Sequence, residues 1–366
     1  MPEFLHTYHF ENYIFIIFIS TIIALLAIPS ILHVARARHL YDDLGHFRKQ
    51  HDHGIPRLGG IAIFISFSIT VLIFSSPDQA FSISYLLISS IILFAMGLKD
   101  DLSGVNSSTK FLIQFIVSLN LVVLGDIRLT SMYGILGIFD LPYFISVSLS
   151  ILVIMLLINA FNLIDGIDGL AATTGIIANS AFAALFIYIH QYELAITALA
   201  ITGAIIGFLR FNITPAKIFM GDTGSLLIGL VSVIMAIEFI NVSNSNNTAP
   251  HFYTAPSLAV AILIGPIFDT FRVFALRIIK KVSPFRADRN HIHHRILRLG
   301  FNHMQTTLIL ASVNMISIAL ALLLSPFGNT VIVIFIGTAC MLFNWFITFC
   351  LRCKEREKIN FRFLLA

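Results

Sequence analysis

Five short polar segments of the sequence hold the residues whose types could do chemistry. They are 42–48, 99–101, 159–169, 215–225 and 284–295, and they combine aspartates with asparagine, histidine, lysine or arginine. Carboxylates suit a hard cation such as Mg²⁺, which in proteins takes one or two carboxylates together with phosphate oxygens and water. Guanidinium groups match phosphate oxygens in pairs. The segments therefore indicate chemistry on a phosphate-bearing molecule, assisted by a divalent cation.

Asp222 has the most suggestive local setting. It lies between Gly221 and Gly224, just before a long apolar stretch that predicts a helix. Free backbone N–H groups and the positive end of a helix favour a phosphate, and the carboxylate could hold its metal ion. The alternative is that Asp222 is only a turn residue, and the two readings are about equally supported by the segment alone.

The other aspartate pairs are open to two readings as well. Asp165 and Asp168 can share a helix face if their turn is helical, because residues three apart are neighbours on a helix. The glycines that follow each of them make an irregular backbone equally compatible with the sequence. Asp100 and Asp101, taken alone, are more typical of a solvated loop or a helix cap.

The last polar segment contains three histidines and three arginines: His291, His293, His294, Arg286, Arg289 and Arg295. Three histidines could form a zinc site, but no cysteine lies near them in the sequence. The neighbouring arginines repel a cation and attract an anion, so we expect an anion-binding segment here. Many of the basic residues between 272 and 298 can also serve as a membrane topology signal.

The elements that must position these residues are membrane helices. Of the 366 residues, 57% are hydrophobic and only 11% are charged, whereas soluble domains carry about 25% charged residues. Apolar blocks of about 20 residues match the thickness of a bilayer. The composition therefore predicts an all-α polytopic membrane protein. No basic run precedes the first block, so no cleavable signal peptide is expected, and the three cysteines (Cys340, Cys350 and Cys353) suggest no disulfide framework.

Apolar runs between polar breaks predict eleven transmembrane helices in a single domain, 1–366. They span 12–33, 59–75, 81–97, 110–125, 143–159, 170–189, 193–209, 224–240, 256–277, 304–324 and 330–350. The glycine-rich segment 126–143 could form a small hairpin. The segment 278–303 is expected to be a cytoplasmic loop that carries the histidines and arginines.

The distribution of basic residues orients this bundle. With the N-terminus outside, all of the 23 Lys and Arg residues except Arg128 fall in the inner connections or the helix ends beside them. Cytoplasmic loops of membrane proteins carry such an excess. The C-terminus and all five polar segments are then predicted to lie on the cytoplasmic side, which gathers the candidate active site at one membrane face.

The ordered motifs resemble a known family. These are Lys99-Asp-Asp101, Asn159-x-x-Asn162-x-x-Asp165-Gly-x-Asp168-Gly-Leu170, Phe219-Met-Gly-Asp-Thr-Gly-Ser225 and His291-Ile-His-His294. They are similar to the signature of the polyprenyl-phosphate sugar-1-phosphate transferases, glycosyltransferase family 4, from the first span to the last. Ser283–Gly300 is similar to the branch that transfers N-acetylglucosamine 1-phosphate to undecaprenyl phosphate. The histidine run followed by Phe-Glu, which is usual in the branch for MurNAc-pentapeptide, is absent.

The resemblance implies a role for each matching position. It implies catalytic roles for Asp100, Asp101, Asp165, Asp168, Asp222, His291, His293 and His294. It implies substrate contacts for Lys110, Asn159, Asn162, Lys217, Phe219, Arg286, Arg289 and Arg295, with Phe219 stacked on uracil. Asp222, Asp101 and Asp165 would bind Mg²⁺, with Mn²⁺ as an alternative. Asp269, an acid inside the ninth span, also fits the family, but its role is not evident from the sequence.

The resemblance also implies partners and a location. The substrates would be UDP-N-acetylglucosamine and undecaprenyl phosphate, in the bacterial inner membrane. The product would begin a cell-surface polysaccharide such as O-antigen. No nucleic acid partner is expected, and a homodimer is compatible with the sequence. Three alternatives stay open: another UDP-N-acetylhexosamine, UDP-MurNAc-pentapeptide, or a secondary transporter, although transporter acids usually lie near the bilayer midplane.

Overall fold

The computed structural model describes residues 10–40, 54–75, 80–243, 252–281 and 290–364. Helices dominate these residues, with one short hairpin. In chain order the elements are α1 (Phe10–Ala37), α2 (Gly59–Phe74), α3 (Ala80–Ser103), α4 (Ser107–Leu119, continued by a π-turn to Leu124), β1 (Ser131–Ile135), β2 (Ile138–Asp140), α5 (Tyr143–Ile164), α6 (Leu170–Tyr188), α7 (Tyr192–Asn212), α8 (Gly221–Val242), α9 (Ala255–Ile262), α10 (Ile264–Ile279), α11 (Ile292–Leu299), α12 (His303–Leu323) and α13 (Asn329–Leu364).

The prediction of an all-α polytopic membrane protein is confirmed. Within the described residues, nine helices are long and apolar enough to cross a bilayer, and the pair α9 and α10 could form a tenth crossing. The helix α2 is also apolar but has only 16 residues. Each of the eleven predicted stretches coincides with one of these elements, while the number of crossings and the orientation stay predictions.

The helix α8 is the centre of the bundle. It is buried along most of its length, and it contacts α2, α3, α5, α6, α7 and α9. Glycines permit the closest approaches, as is usual between membrane helices. A Cβ atom at Gly97 of α3 would lie 2.6 Å from the Thr223 Cα at the start of α8. The end of α3 and the start of α8 are thus in direct backbone contact, and both carry aspartates.

Two of the helices that continue further than the apolar pattern predicted carry site residues in their last turns. The predicted spans end at 97 and 159, whereas α3 continues to Ser103 and α5 continues to Ile164. In these last turns Asp100, Asp101 and Asn162 form hydrogen bonds with residues of other helices. Asp100 and Asp101 therefore lie on a helix and not in a connection.

The predicted ninth span is broken into α9 and α10, which meet at an angle of 77°. The cause is visible in the sequence. Pro266 in a continuous helix would clash with the carbonyl group of Ile262, four residues earlier, and could not donate to it. The side chain of Asn314 donates a hydrogen bond to this carbonyl at 3.1 Å instead. The break therefore leaves the freed backbone group satisfied within the membrane domain.

The predictions for the connections 126–143 and 278–303 differ in how well they match the structure. The hairpin expected within 126–143 is present, with β1 and β2 antiparallel. The segment 278–303, expected to be a loop, contains the short helix α11 in its described part. The basic positions Arg286 and Arg289 and the first polar segment, 42–48, lie outside the described residues.

Candidate active site

The aspartates converge on one cleft at the end of the bundle. Its volume is about 390 Å³. The ends of α3, α5 and α7 and the start of α8 surround it, together with the turn between α5 and α6. We call it the carboxylate cleft, and it is lined by Arg57, Asp101, Asn162, Asp165, Gly166, Ile167, Asp168, Asn212, Phe219, Gly221, Asp222 and His303.

Asp101 joins α3 to α8. One of its carboxylate oxygens accepts the backbone N–H of Asp222 at 2.8 Å, and the other accepts the N–H of Thr223 at 3.0 Å and its hydroxyl group at 2.5 Å. These N–H groups belong to the first turn of α8, where backbone donors lack helical partners. Gly221 must be a glycine here, because its φ is +71° and a Cβ would lie 2.6 Å from both Asp101 oxygens. Asp101 therefore caps the helix that carries Asp222.

Lys110 bridges two further carboxylates. Its ammonium Nζ, on the first turn of α4, donates to Asp100 Oδ2 at 2.8 Å and to Asp222 Oδ2 at 2.7 Å. The other oxygen of Asp100 accepts the backbone N–H of Val105 at 2.7 Å. Three helices, α3, α4 and α8, thus meet through one cation and two anions. The contact between Lys110 and these acids was not predicted, although Lys110 itself was assigned to substrate.

The remaining oxygen of Asp222 is held by Asn162. The Asn162 side chain donates to Asp222 Oδ1 at 2.8 Å and to Ser225 Oγ at 3.0 Å. Asn162 lies in the last turns of α5, so this hydrogen bond connects α5 to α8 at the cleft. Asn162 and Asp222, each predicted separately as a site residue, are therefore in direct contact.

Asp165 and Asp168 lie in an irregular turn directly after α5, which decides between the two backbone conformations left open by the sequence. The pKa of Asp165 is raised well above its usual value by burial, and then by the charges of Asp222 and Asp101. Asp168 instead forms an ion-pair contact with His303 at 3.3 Å. The two aspartates therefore have different environments in one cleft.

One buried asparagine ties two turns of the cleft together. Asn212, at the end of α7, accepts the Gly169 N–H at 2.9 Å and donates to the Ile218 carbonyl at 2.9 Å. Gly169 has a φ of +76°, which a residue with a side chain rarely adopts. Asn212 thereby fixes the turn of Asp165 and Asp168 relative to the segment of Phe219. No sequence signal marked this asparagine.

Arg57 is a cleft residue that the sequence analysis missed. The residues around it pair with the Phe219 segment, since the Phe219 N–H donates to Pro56 at 2.9 Å and the Gly59 N–H donates to the Phe219 carbonyl at 2.9 Å. Arg57 and Phe219 thus enter the cleft from two paired segments. The double glycine at the start of α2 was an available signal, because such a pair permits a close backbone approach.

The histidines lie beside the turn of Asp165 and not across the cleft from it. His291 and His293 are buried, and their rings are stacked with centroids 5.7 Å apart. A Cβ atom at Gly166 would lie 2.5 Å from His293 Nε2, so the imidazole packs directly on this turn. Burial lowers the pKa of His293 to about 3, with a further contribution from His294. His293 is therefore neutral at physiological pH, and His294 is the least buried of the three.

Two residues assigned to substrate have other partners. Arg295 donates to the side chains of Asn344 and Thr348 on α13. Asn159 exchanges hydrogen bonds with Gln114 of α4, at 2.6 and 3.3 Å. Arg295, Asn159 and Lys217 are all absent from the described lining of the cleft, and they stay predictions as substrate contacts.

The donor set fits a divalent cation. Carboxylate oxygens of Asp100, Asp101 and Asp222 all lie within 4.8 Å of one another. Hard oxygen ligands of this kind suit Mg²⁺ or Mn²⁺. The Lys110 ammonium, within 2.8 Å of two of these groups, shows that they accept a positive charge here. The metal set expected from the sequence had Asp165 in the place of Asp100, and Asp165 lines the same cleft.

Comparison with known proteins agrees with this geometry. Residues 83–240 match the model of glycosyl transferase family 4. A protein of Bacillus subtilis named probable undecaprenyl-phosphate N-acetylglucosaminyl 1-phosphate transferase is 33% identical, over 72% of this chain and 71% of its own length. The undecaprenyl-phosphate alpha-N-acetylglucosaminyl 1-phosphate transferase of Escherichia coli K12 is 31% identical, over 77% and 74%. A decaprenyl-phosphate N-acetylglucosaminephosphotransferase of Mycolicibacterium smegmatis is 31% identical, over 72% and 70%.

A helical membrane bundle with an aspartate cleft at one end is the architecture of a membrane-embedded transferase. The matched residues include α3 to α8 and therefore Asp101, Asp165 and Asp222. This chain belongs to glycosyl transferase family 4, as the resemblance of its motifs predicted. The secondary transporter, the alternative from a different class, is set aside.

Proposed function

We propose that this protein transfers N-acetylglucosamine 1-phosphate from UDP-N-acetylglucosamine to undecaprenyl phosphate. A phosphate oxygen of the lipid attacks the β-phosphorus of the donor. The bond between this phosphorus and the bridging oxygen breaks, and UMP leaves with that oxygen. The anomeric bond of the sugar stays intact, and the lipid product is undecaprenyl-pyrophosphoryl-N-acetylglucosamine. The observation that carries the proposal is the assembly of Asp100, Asp101 and Asp222 at one end of a membrane bundle.

Two anions must meet in this reaction, so positive groups matter more than a base. A bound Mg²⁺ would offset charge on the diphosphate. Asp100, Asp101 and Asp222 are the residues that would hold it, with Asp165 beside them. Among the chain's own cations, Lys110 contacts two of these acids, and Arg57 lines the cleft. We assign Arg57 to the diphosphate of the donor, next to Phe219, which would stack on the uracil.

The geometry favours direct attack over a covalent aspartyl-phosphate. Asp100 accepts hydrogen bonds on both oxygens, and so does Asp101. Carboxylates held in this way position their neighbours and are poor nucleophiles. A phosphate monoester has a second pKa near 6, so the acceptor is largely ionised at neutral pH and needs no general base. Purified protein with UDP-N-acetylglucosamine alone should therefore release no UMP, and a burst of UMP without lipid would establish the covalent route.

The substrate assignment has a direct test. Membranes that contain the protein are given undecaprenyl phosphate, Mg²⁺ and one UDP-sugar at a time, and UMP and labelled lipid are measured. UDP-N-acetylglucosamine should give equal amounts of both products. Product only from UDP-MurNAc-pentapeptide, or only from another UDP-N-acetylhexosamine, would overturn the assignment of the donor but retain the chemistry. Replacing Mg²⁺ with Mn²⁺ in the same assay measures the metal preference.

We further propose that the carboxylate cleft faces the cytoplasm of a bacterial inner membrane. The support is the bias of basic residues and the need to reach a water-soluble nucleotide sugar. In a variant without native cysteines, Leu136→Cys in the hairpin and Ser103→Cys at the end of α3 place one thiol at each end of the bundle. Both positions are exposed. An impermeant maleimide should label the first in intact cells and the second only after permeabilisation; the reverse pattern would invert the orientation.

A further inference from the structure

Asp269 lies outside the carboxylate cleft, buried in the second turn of α10 after the break in the span. Its carboxylate has three partners. The oxygen Oδ1 accepts the Arg272 guanidinium at 2.9 Å and the backbone N–H of Ile292 at 3.0 Å, and Oδ2 contacts His291 Nδ1 at 2.8 Å. One buried acid thus connects the broken span to the start of α11.

The helix α11 depends on contacts of this kind. It has eight residues, which is too few for a helix to be stable by itself. Its N-cap residue, His291, makes no capping hydrogen bond with its own side chain. The Ile292 N–H belongs to the first turn, whose donors need outside partners and favour a negative group. Asp269, on α10, supplies both the oxygen that accepts the Ile292 N–H and a negative charge next to the start of α11.

The next step leads from α11 to the catalytic aspartates. His293 follows Ile292 directly, and its imidazole packs on Gly166, between Asp165 and Asp168. The ring of His294 lies 4.2 Å from that of His293. Any displacement of the start of α11 must therefore move an imidazole that is in van der Waals contact with the aspartate turn.

We propose that Asp269 is a positioning residue for the transfer reaction. With Arg272, His291 and the Ile292 N–H it forms a clasp, which holds α11 so that His293 fixes the turn of Asp165 and Asp168. The role in turnover rests on the proposed function; the mechanical role does not. An asparagine would lack the second acceptor oxygen, which here faces His291, and would remove the negative charge that pairs with the buried Arg272.

The first test is Asp269→Asn. A misplacement of about 1 Å at a reacting group can cost about 100-fold in rate, so we expect kcat to fall about 10- to 100-fold. The KM for UDP-N-acetylglucosamine should change less than about 3-fold, because Asp269 contacts neither Arg57 nor Phe219, the residues assigned to the donor. A kcat within 3-fold of the wild type would overturn the proposal.

A double-mutant cycle separates positioning from general destabilisation. If Asp269 acts through His293, then Asp269→Asn should reduce kcat by less than about 3-fold in a His293→Ala background, because residues in one network are not additive. If Asp269→Asn only destabilised the fold, its fold-reduction of kcat would be the same with and without His293→Ala, and the two effects would multiply. Full multiplication of the two effects would therefore contradict the clasp.

Hydrogen–deuterium exchange provides a measurement that needs no activity. Asp269→Asn should accelerate exchange of the α11 amides about 10-fold, while α7 and α8 stay protected. The matched control is Ser257→Ala, which removes a buried hydrogen bond of 2.9 Å at the other end of the same broken span and should leave α11 and kcat unchanged. Unaltered exchange of α11 in Asp269→Asn would refute the clasp. Absence of transfer by the wild type would refute the proposed function while the exchange result still decides the clasp.

Discussion

The bundle has two cavities of equal size at opposite ends of the same three helices. The carboxylate cleft and a second cavity each measure about 390 Å³. The end of α3, the end of α7 and the start of α8 line the first, whereas the opposite ends of these helices line the second. We call the second the glutamate cavity; its lining includes Ile83, Leu86, His190, Tyr192, Glu193, Met235 and Glu238. Asp222 and Glu238 on α8 are separated by about 24 Å along the helix axis.

The two cavities differ in how their acids are held. Asp100, Asp101 and Asp222 are each held by a cation or a backbone donor from another element, and Asp168 accepts the backbone N–H of Ala216. The described lining of the glutamate cavity contains no lysine or arginine. The Glu238 carboxylate has no hydrogen bond or ion pair among the described residues, and Asp126 is a like charge near it.

This comparison shows that cavity volume alone does not mark a reaction site. What distinguishes the carboxylate cleft is the convergence of α3, α4, α5 and α8 through hydrogen bonds between charged groups. Such networks hold catalytic groups in place before the substrate arrives. Substitutions at equivalent positions of the two cavities can therefore test whether this difference in the hydrogen bonds and ion pairs of the acids corresponds to a difference in function.

The largest effect is expected for Asp222→Asn. The change retains the shape of the side chain but removes the charge that faces Lys110 and the candidate metal site. Loss of a metal-binding charge should reduce kcat about 100- to 1,000-fold, which is the range for single electrostatic groups in active sites. The assay is UMP release with undecaprenyl phosphate and UDP-N-acetylglucosamine, and thermal unfolding checks that the bundle is intact. Turnover near the wild-type level would contradict the metal role of Asp222.

A smaller but clear loss is expected for Gly166→Ala. The new Cβ would lie 2.5 Å from His293 Nε2, so the aspartate turn or α11 must shift. Overpacking of this kind costs about 1–3 kcal/mol, and we expect kcat to fall about 10- to 100-fold. Gly337→Ala on α13 is the matched control, because nothing lies within 4 Å of the added atom. Equal activities of the two variants would show that the turn tolerates displacement.

The convergence of the aspartates was predictable from the sequence, because the positive-inside bias and the apolar runs placed Asp101, Asp165 and Asp222 at one end of the bundle. The individual hydrogen bonds were not. Residue types and spacing do not show that Asp101 caps α8 or that Arg295 turns towards α13. These contacts depend on helix rotation and on the depth at which each helix end lies.

The broken span is an intermediate case. Pro266 was visible in the sequence, and a proline within an apolar run predicts a break near the residue four positions earlier. The size of the bend and the use of Asn314 as a substitute donor depend on packing between α10 and α12. Only the folded structure shows why an acid occurs in this apolar segment, because Asp269, in the second turn after the break, meets Arg272 and the start of α11.

A more selective effect is expected for Phe219→Ala. Phe219 is half-buried in the cleft beside Arg57. If its ring stacks on the uracil, losing about 1–3 kcal/mol of stacking should raise the KM for the donor about 10-fold. The KM for the lipid should not change, and Phe219→Leu should be intermediate. An unchanged donor KM in Phe219→Ala would place the base elsewhere.

The smallest effect on turnover is expected in the glutamate cavity, for Glu238→Gln. The substitution matches Asp222→Asn, since both convert an acid of α8 to its amide. We expect kcat within about 2-fold of the wild type, because no hydrogen bond or ion pair among the described residues connects this carboxylate to the cleft. Stability should rise slightly, since an amide avoids the desolvation of a charge and the repulsion from Asp126. A gain in the free energy of unfolding from a few tenths of a kcal/mol to about 1 kcal/mol corresponds to a rise in Tm of about 1–4 °C. A loss of turnover as large as that of Asp222→Asn would instead show that the glutamate cavity is also needed for the reaction.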